Sequence, residues 1–413
     1  MSNTIQSIQK LIKREANRQQ QGLVMIASEN YASPEILSAM GSSLSNKYSE
    51  GYPGKRYYTG NEVIDQIEHI AQEEALKLFK LGSKKWHANV QPHSGSSANL
   101  AVYTALLKTG DAILAMDLSA GGHLTHGSPA SITGKLYNFS HYGVDPKTCA
   151  LDYDAIAQLA QKYQPKLIVC GATAYPRTIN FKKFATIAKS CGALLLADIS
   201  HIAGLISAGQ HPSPFPYADI VTTTTHKTLS GPRSAIIICK QEFTPAINRA
   251  VFPGLQGGPL ENMIAAKAIC FIKAQQPKFK KIQAQTVANT RALAGILQKQ
   301  NITIVAGGSD NHLLLVDCRK YNINGATAAD ALAHAHIYTN ANMVPFDTGS
   351  AREPSGIRIG TAALSTRGMK EREMRMIGLW IAEIIKNSSD TKLQSRIKKI
   401  VTELTSHFPI HTS

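Results

Sequence analysis

Val221-Thr222-Thr223-Thr224-Thr225-His226-Lys227-Thr228-Leu229-Ser230-Gly231-Pro232 decides how this chain is read. Five consecutive β-branched residues favour an extended backbone, and Gly231-Pro232 stops the extension a few residues beyond Lys227. The lysine is therefore expected just past the carboxyl end of a strand, the edge of an open α/β sheet where ligands bind. An amine crowded there by hydroxyls and an imidazole can be desolvated, lose its proton near neutrality and attack a carbonyl carbon. A lone lysine at a strand end is more often a solvated surface charge, so the reading turns on its partners.

Upstream, Ala193-Leu194-Leu195-Leu196-Ala197-Asp198-Ile199-Ser200-His201 is an apolar run ending in a carboxylate, which predicts a second buried strand that presents Asp198 at the same edge. Asp198 is then either a cap or the partner of a cationic ligand atom. An aldehyde cofactor with a pyridine nitrogen needs both groups, an amine to join and a carboxylate to keep the ring nitrogen protonated. Residues 222–232 and 198–205 resemble the pyridoxal-phosphate lysine and aspartate motifs of the serine hydroxymethyltransferase family.

That resemblance extends over nearly the whole chain. It implies an α/β, fold-type I pyridoxal-phosphate transferase with a mostly parallel seven-stranded sheet in a large domain and a smaller C-terminal α/β domain. Boundaries are expected at 1–40 for an N-terminal helical arm, 41–280 for the large domain and 281–413 for the small one. Met25-Ile26-Ala27-Ser28-Glu29-Asn30-Tyr31 is by its composition a loop, and it is similar to the family loop whose serine, here Ser28, lies near the amino-acid carboxylate. Residues 47–60 gather four tyrosines and a lone glutamate among glycines, too aromatic for an idle linker; a loop docked on a neighbouring subunit is an equally good reading of the residues. The resemblance gives Glu50 the acid/base work and a folate contact, Tyr58 the amino-acid side, and Tyr48 the phosphate of the other subunit's cofactor.

Gln91-Pro92-His93-Ser94-Gly95-Ser96-Ser97 leads into a helix, and hydroxyls and amides at a helix start make an N-cap or an anion site. By similarity Ser94, Gly95 and Ser96 hold the cofactor phosphate, with Ser97 in place of a customary glutamine. In the glycine-rich turn after the strand at 112–117, the resemblance makes His123 the imidazole stacked on the pyridine ring and sets Leu118 and Leu124 against folate. It assigns Thr173, in the loop Gly171-Ala172-Thr173-Ala174-Tyr175-Pro176-Arg177, to the phenolic oxygen, His201 and His226 to the cofactor, and Thr225 to catalysis beside Lys227. By the same resemblance the amides of Gly257 and Gly258 reach the phosphate of the adjacent protomer, which implies a homodimer with shared active sites. Arg358 has the fork that suits a carboxylate and is matched to the arginine for the substrate's α-carboxylate. Asn342 is assigned to folate.

The implied reaction is reversible transfer of the hydroxymethyl group of L-serine to tetrahydrofolate, giving glycine, with pyridoxal 5'-phosphate as cofactor. Departures from the family pattern at Ala120, Ser230, Ser234, Ala235 and Ala341 keep a folate-independent threonine aldolase or racemase-like enzyme in view, and Thr59 stands where glycine is usual. The net charge of +16 could mark a nucleic-acid binder, yet the lysines come in scattered pairs without aromatic or recognition-helix patterns, which argues against one. Six cysteines without CxxC spacing predict buried free thiols in a reducing, cytoplasmic setting, and no metal site is indicated. No apolar run is long enough for a membrane span. Ile5, Ile8, Leu11 and Ile12 recur among lysines and arginines at near-helical spacing and predict an amphipathic arm that packs on protein. A single long helix is expected from 263 to about 298.

Overall fold

The computed structural model describes residues 2–350 and 352–410. The chain divides into two compact units, one running from Asn30 to Ala284 and the other combining the residues up to Glu29 with those from Gln285 onward.

The first unit is built on the apolar runs. They form β1 (Trp86–Asn89), β2 (Ala112–Met116), β3 (Asn138–Tyr142), β4 (Leu167–Cys170), β5 (Leu194–Asp198), β6 (Ile220–Thr224) and β7 (Ala235–Lys240). Their order across the sheet is β1-β7-β6-β5-β4-β2-β3. Only β7 opposes its neighbours; β6, β5, β4, β2 and β3 pair in parallel, as strands joined by crossover helices must. Helices Tyr153–Tyr163 and Phe181–Ser190 are two of those crossovers. Strands covered on both faces need apolar residues at every position rather than at alternate ones. Accordingly β4 is apolar and buried from end to end, and β6 is buried as well because each of its three threonine hydroxyls donates a hydrogen bond. Ile113, Leu167, Leu196, Ile220 and Ile237 pack with Ala98, Ala101 and Val102 of helix Gly95–Leu106 in one core. Asp198 pairs with Thr222, which brings the carboxylate and the threonine run out at one sheet edge.

Two local expectations change. The predicted single helix is two, Glu261–Ala274 and Pro277–Lys299, because Pro277 has no amide hydrogen and disfavours helical backbone at Gln276. Ser234 and Ala235, where the family carries glycines, lead into β7, and Ala235 pairs with Thr224; extended backbone of this kind does not require glycine.

In the other unit, β8 (Thr303–Ile304), β9 (Leu313–Asp317), β10 (Asn340–Asn342) and β11 (Gly356–Gly360) make an antiparallel sheet in the order β8-β9-β11-β10. Helices Gly325–His334, Glu371–Lys386 and Thr391–Ser406 supply Leu332, Ile377, Ile381 and Ile397 to a core with Leu314, Val316, Ile357 and Ile359. The N-terminal segment belongs here: Leu23–Val24 pairs in parallel with Ile337–Tyr338, and the amide of Gly360 donates to the Met25 carbonyl at 2.7 Å. Helix Ser2–Gln21 precedes it, and its Ile5, Ile8, Leu11 and Ile12 all stay more than half exposed.

Four of the six cysteines are buried as expected, whereas Cys149 and Cys191 are only partly so; all are free thiols. Among the described residues no helix is long and apolar enough to cross a membrane.

Candidate active site

Lys227 follows β6 by three residues and is buried in the loop that Gly231-Pro232 closes. Its carbonyl accepts from the Ser230 amide at 3.0 Å and from Asn30 Nδ2 at 3.1 Å, which fixes the loop at both sides. One cavity is lined by Lys227 together with Gly95, His123, His126, Ala172, Thr173, Asp198, Ser200, His201 and Thr224. The amine and the carboxylate picked out by sequence therefore face the same space. Ser230 takes a left-handed backbone (φ +59°) to make the turn, a conformation that costs a residue with a Cβ. Thr225, read as catalytic, is fully buried and donates its hydroxyl to the Pro232 carbonyl at 2.6 Å, so it ties the lysine loop down while Thr224 lines the cavity.

Asp198 is buried and accepts three hydrogen bonds. Its Oδ2 accepts from Asn99 Nδ2 at 2.9 Å and from His126 Nε2 at 3.2 Å, and its Oδ1 from the Ser200 amide at 3.1 Å. Burial by itself would raise its pKa, but the hydrogen bonds from His126 and Ser200 hold it well below the usual carboxylate range. Asn99 is in turn oriented by Thr222, whose hydroxyl donates to its Oδ1 at 2.7 Å. Gly171 (φ +141°) lies so close that a Cβ there would come within 2.0 Å of the Asp198 carbonyl oxygen, which explains the glycine opening that loop.

The histidine turn is held by the same network. His123 Nδ1 accepts from the Thr125 amide at 3.2 Å, leaving its proton on Nε2, and Thr125 Oγ1 accepts from Asn99 at 2.9 Å. Thr173 donates its hydroxyl to the carbonyl of Gly122 at 3.0 Å, locking the turn to the next loop. Leu118 is half-buried and Leu124 about half exposed at the mouth of this turn. His226 is pushed down to about 3 by burial and by the neighbouring Lys227 and Arg233 charges, so it is neutral. Its Nδ1 is buried with no hydrogen-bond partner among the described residues.

Ser94 caps helix Gly95–Leu106 in a reciprocal box with Ser97, which accounts for serine at position 97. The helix's first amides have no intrahelical acceptor and offer an anion cradle. Gly95 sits against β6 so tightly that a Cβ would be 2.8 Å from Thr224 Cγ2. Ser94 and Ser96 are exposed at this helix start.

The loop residues form a second cluster. Tyr48 donates to Glu50 Oε1 at 3.1 Å and packs edge-on against Tyr58, ring centroids 5.0 Å apart. A Cβ on Gly257 would lie 3.1 Å from Glu50 Oε1, and one on Gly258 3.1 Å from the Tyr48 ring. Glu50 beside it holds the Tyr48 phenol above its ordinary value. Tyr48, Tyr57 and Tyr58 are 53%, 76% and 46% exposed, far more than aromatic rings usually are.

In the C-terminal unit, Arg358 on β11 is buried, and its Nε donates to Asn340 Oδ1 at 3.0 Å. Burial pushes its guanidinium down to about 10. Gly360, two residues on, packs so closely that a Cβ would be 2.5 Å from Ala27 Cα, bringing the loop of Ser28 to the same end of β11. Asn342 donates to the Met343 carbonyl at 2.6 Å.

Sequence reasoning assigned no role to Asn99, His126, Thr125, Ser200 or Thr224. An asparagine inside the apolar helical run Ala98-Asn99-Leu100-Ala101-Val102 was the available signal, since a buried amide must find partners. The donor set fits pyridoxal 5'-phosphate: helix amides and hydroxyls for the phosphate, an anionic carboxylate for a protonated ring nitrogen, an unpartnered buried imidazole nitrogen and an amine for the aldehyde.

The family model described as Serine hydroxymethyltransferase matches residues 1–381. A protein from Koribacter versatilis (strain Ellin345) named Serine hydroxymethyltransferase is 50% identical over 404 residues, covering 98% of this chain and 94% of that one. The chain belongs to the serine hydroxymethyltransferase family, pyridoxal-phosphate-dependent enzymes that interconvert serine and glycine with tetrahydrofolate as one-carbon carrier.

Proposed function

We propose that the cavity at Lys227 is where this chain carries out hydroxymethyl transfer between L-serine and tetrahydrofolate. The observation that carries the reading is Asp198: a carboxylate kept anionic although buried, in one cavity with Lys227 and His123. Bound there, pyridoxal 5'-phosphate supplies an aldehyde carbon that joins to amines and a protonated ring that withdraws electrons from the substrate α-carbon.

The protein's part follows from its own groups. Asp198 holds the proton on the ring nitrogen, and His126, Asn99 and Ser200 keep Asp198 charged. His123, Thr173 and His201, which line the cavity, would hold the ring, with the neutral His226 beside Lys227, and Ser94, Gly95 and Ser96 would take the phosphate at the helix start. Lys227 provides the amine, in a loop whose shape Thr225 maintains. Arg358 receives the substrate carboxylate with Ser28 nearby, a role suited to a buried guanidinium. Glu50 moves the proton of the substrate hydroxyl, Tyr58 orients the amino acid, and Leu118, Leu124, Asn342 and Glu50 contact folate.

A homodimer with shared sites belongs to this reading, Tyr48, Gly257 and Gly258 serving the partner's phosphate. It is supported by the exposed tyrosine cluster and the exposed apolar stripe of helix Ser2–Gln21, surfaces that a second copy would cover. Nucleic acid has no part in it. A cytoplasmic location is supported by six cysteines that are all free thiols.

Lys227→Arg tests the assignment. The variant is expected to lose the visible absorbance of the bound cofactor and serine cleavage together; normal turnover would exclude Lys227. Serine cleavage that ran equally well with and without tetrahydrofolate would return the reading to a folate-independent aldolase.

A further inference from the structure

The loop that carries Tyr48 and Glu50 rests on buried polar groups that the reading above does not use. Ser49, between them in sequence and fully buried, donates its hydroxyl to Glu261 on helix Glu261–Ala274. Arg56 Nη1 donates to the carbonyls of Ser49 and Gly51 at 2.9 Å each, and Gln91 Nε2 to that of Gly51 at 3.0 Å. Glu68 takes Arg56 Nη2 at 2.6 Å and Gln91 Nε2 at 3.0 Å. Glu68, Glu261 and Lys267 are each no more than 1% exposed.

Apolar residues of similar volume would stabilise such an interior as well or better, so stability alone does not explain the charges. Glu261 differs from the rest. Glu68 is tied to Arg56, and Lys267 donates to the carbonyls of Val90 and Ala235. Glu261 meets only the Ser49 hydroxyl, and its Oε2 is buried with no partner among the described residues, as is Gln91 Oε1. A carboxyl group in that position is better accommodated neutral than charged. Burial raises Glu261 to about 7; the Ser49 bond, Arg56 and Lys267 work against the rise and Glu68 adds to it.

We propose that Glu261 is a positioning residue for hydroxymethyl transfer: its bond with Ser49 sets the backbone from which Tyr48 and Glu50 project, and loss of its proton shifts that pair. The inference rests on the reading that Tyr48 and Glu50 act at the substrate. The groups facing Glu261 are Glu68 of helix Glu62–Leu78, Arg56 of the loop and Lys267 of its own helix. Asp65 is bound to Arg56 at 2.9 Å, and Glu35 of helix Pro34–Met40 to Lys273 at 2.8 Å. Lys267 is itself pushed down to about 7 by burial, so the test has to separate the two.

The holoenzyme, Glu261→Gln, Ser49→Ala, the double variant and Glu50→Gln are compared for kcat and KM between about pH 6 and pH 9, with cofactor absorbance and Tm as checks on integrity. Ser49→Ala is expected to lower kcat about tenfold with little change in the KM for serine, Glu261→Gln, which keeps a neutral group and an acceptor for Ser49, to hold its low-pH kcat up to pH 9, and the double variant to be no worse than Ser49→Ala. The inflection near 7 in the kcat profile is expected to disappear in Glu261→Gln, which leaves Lys267 in place. A Gln variant whose kcat follows the parent's pH profile, or a Ser49→Ala variant that keeps the parent's kcat, overturns the proposal. If Glu261→Gln does not fold, Ser49→Ala with unchanged kcat overturns it alone. Full activity in Glu50→Gln removes the reading of Glu50 beneath it, whereas loss in Glu50→Gln beside a Glu261→Gln that follows the parent's profile removes only this inference.

Discussion

His126 donates from Nε2 to Asp198 Oδ2 at 3.2 Å because its other ring nitrogen, Nδ1, accepts from the amide of His123 at 3.2 Å. One backbone amide thus selects the tautomer that serves the buried carboxylate, and couples the histidine turn to the end of β5.

That coupling predicts the behaviour of His126→Leu. Asp198 keeps Asn99 and the Ser200 amide but loses one of three donors in a buried setting, a loss worth about 1–3 kcal/mol. The apoprotein should unfold earlier in urea by that amount, and the cofactor should bind at least about tenfold more weakly by absorbance titration. Unchanged cofactor affinity would show that His126 matters only to the fold.

The sheet and the lysine loop were legible because their signals are local. Short runs of valine, isoleucine and leucine bounded by turn residues suit doubly covered strands, and Gly231-Pro232 marks a turn. What stayed hidden was the support of Asp198 and of Glu50, because it comes from residues distant in the chain. Asn99, Thr222 and His126 meet only once three strand ends and a helix start are brought to one edge. Glu68, Glu261 and Lys267 sit in amphipathic helical patterns, where a charge ordinarily reads as solvated face, and periodicity cannot tell which charge turns inward. The break at Pro277 was in plain view and was overridden by the apolar spacing on either side.

Ser230 makes a test of local strain. At φ +59° its Cβ crowds the backbone, and glycine there would relieve about 1–2 kcal/mol while giving back part of it as chain entropy. Ser230→Gly is expected to raise Tm by about 1–3 °C, and Ser230→Val, β-branched, to lower it by more than that, both read by differential scanning calorimetry.

Gly95 and Thr224 offer a rescue experiment. A Cβ at 95 would meet Thr224 Cγ2 at 2.8 Å, and Thr224 is buried with its amide donating to Ser200 Oγ at 3.1 Å, so it has little room to give. Gly95→Ala should displace the helix start and weaken cofactor binding by about tenfold or more, with a smaller effect on stability. Thr224→Ser removes the methyl and keeps the hydroxyl, so Gly95→Ala combined with Thr224→Ser should recover much of the affinity. No recovery would place the defect in the backbone of the helix start.

Glu261 also leaves a signature in stability. Its pKa is raised to about 7 in the fold from 4.5, so the folded protein binds this proton more tightly than the unfolded chain does. The contribution of that proton is whole below about pH 4.5 and is lost as pH rises through 7, because above it a carboxylate must be held in the interior. Lys267 runs the other way: lowered to about 7 from 10.5, it costs stability as pH falls through 7. Only the first of these slopes is absent from Glu261→Gln. The difference in unfolding free energy, variant minus parent, should therefore move in the variant's favour by roughly 2 kcal/mol between about pH 5 and pH 8. Equilibrium urea unfolding at a series of pH values measures it. A difference that stays flat across that interval would mean Glu261 titrates as an ordinary carboxylate, and a difference of opposite sign would mean the interior holds it ionised.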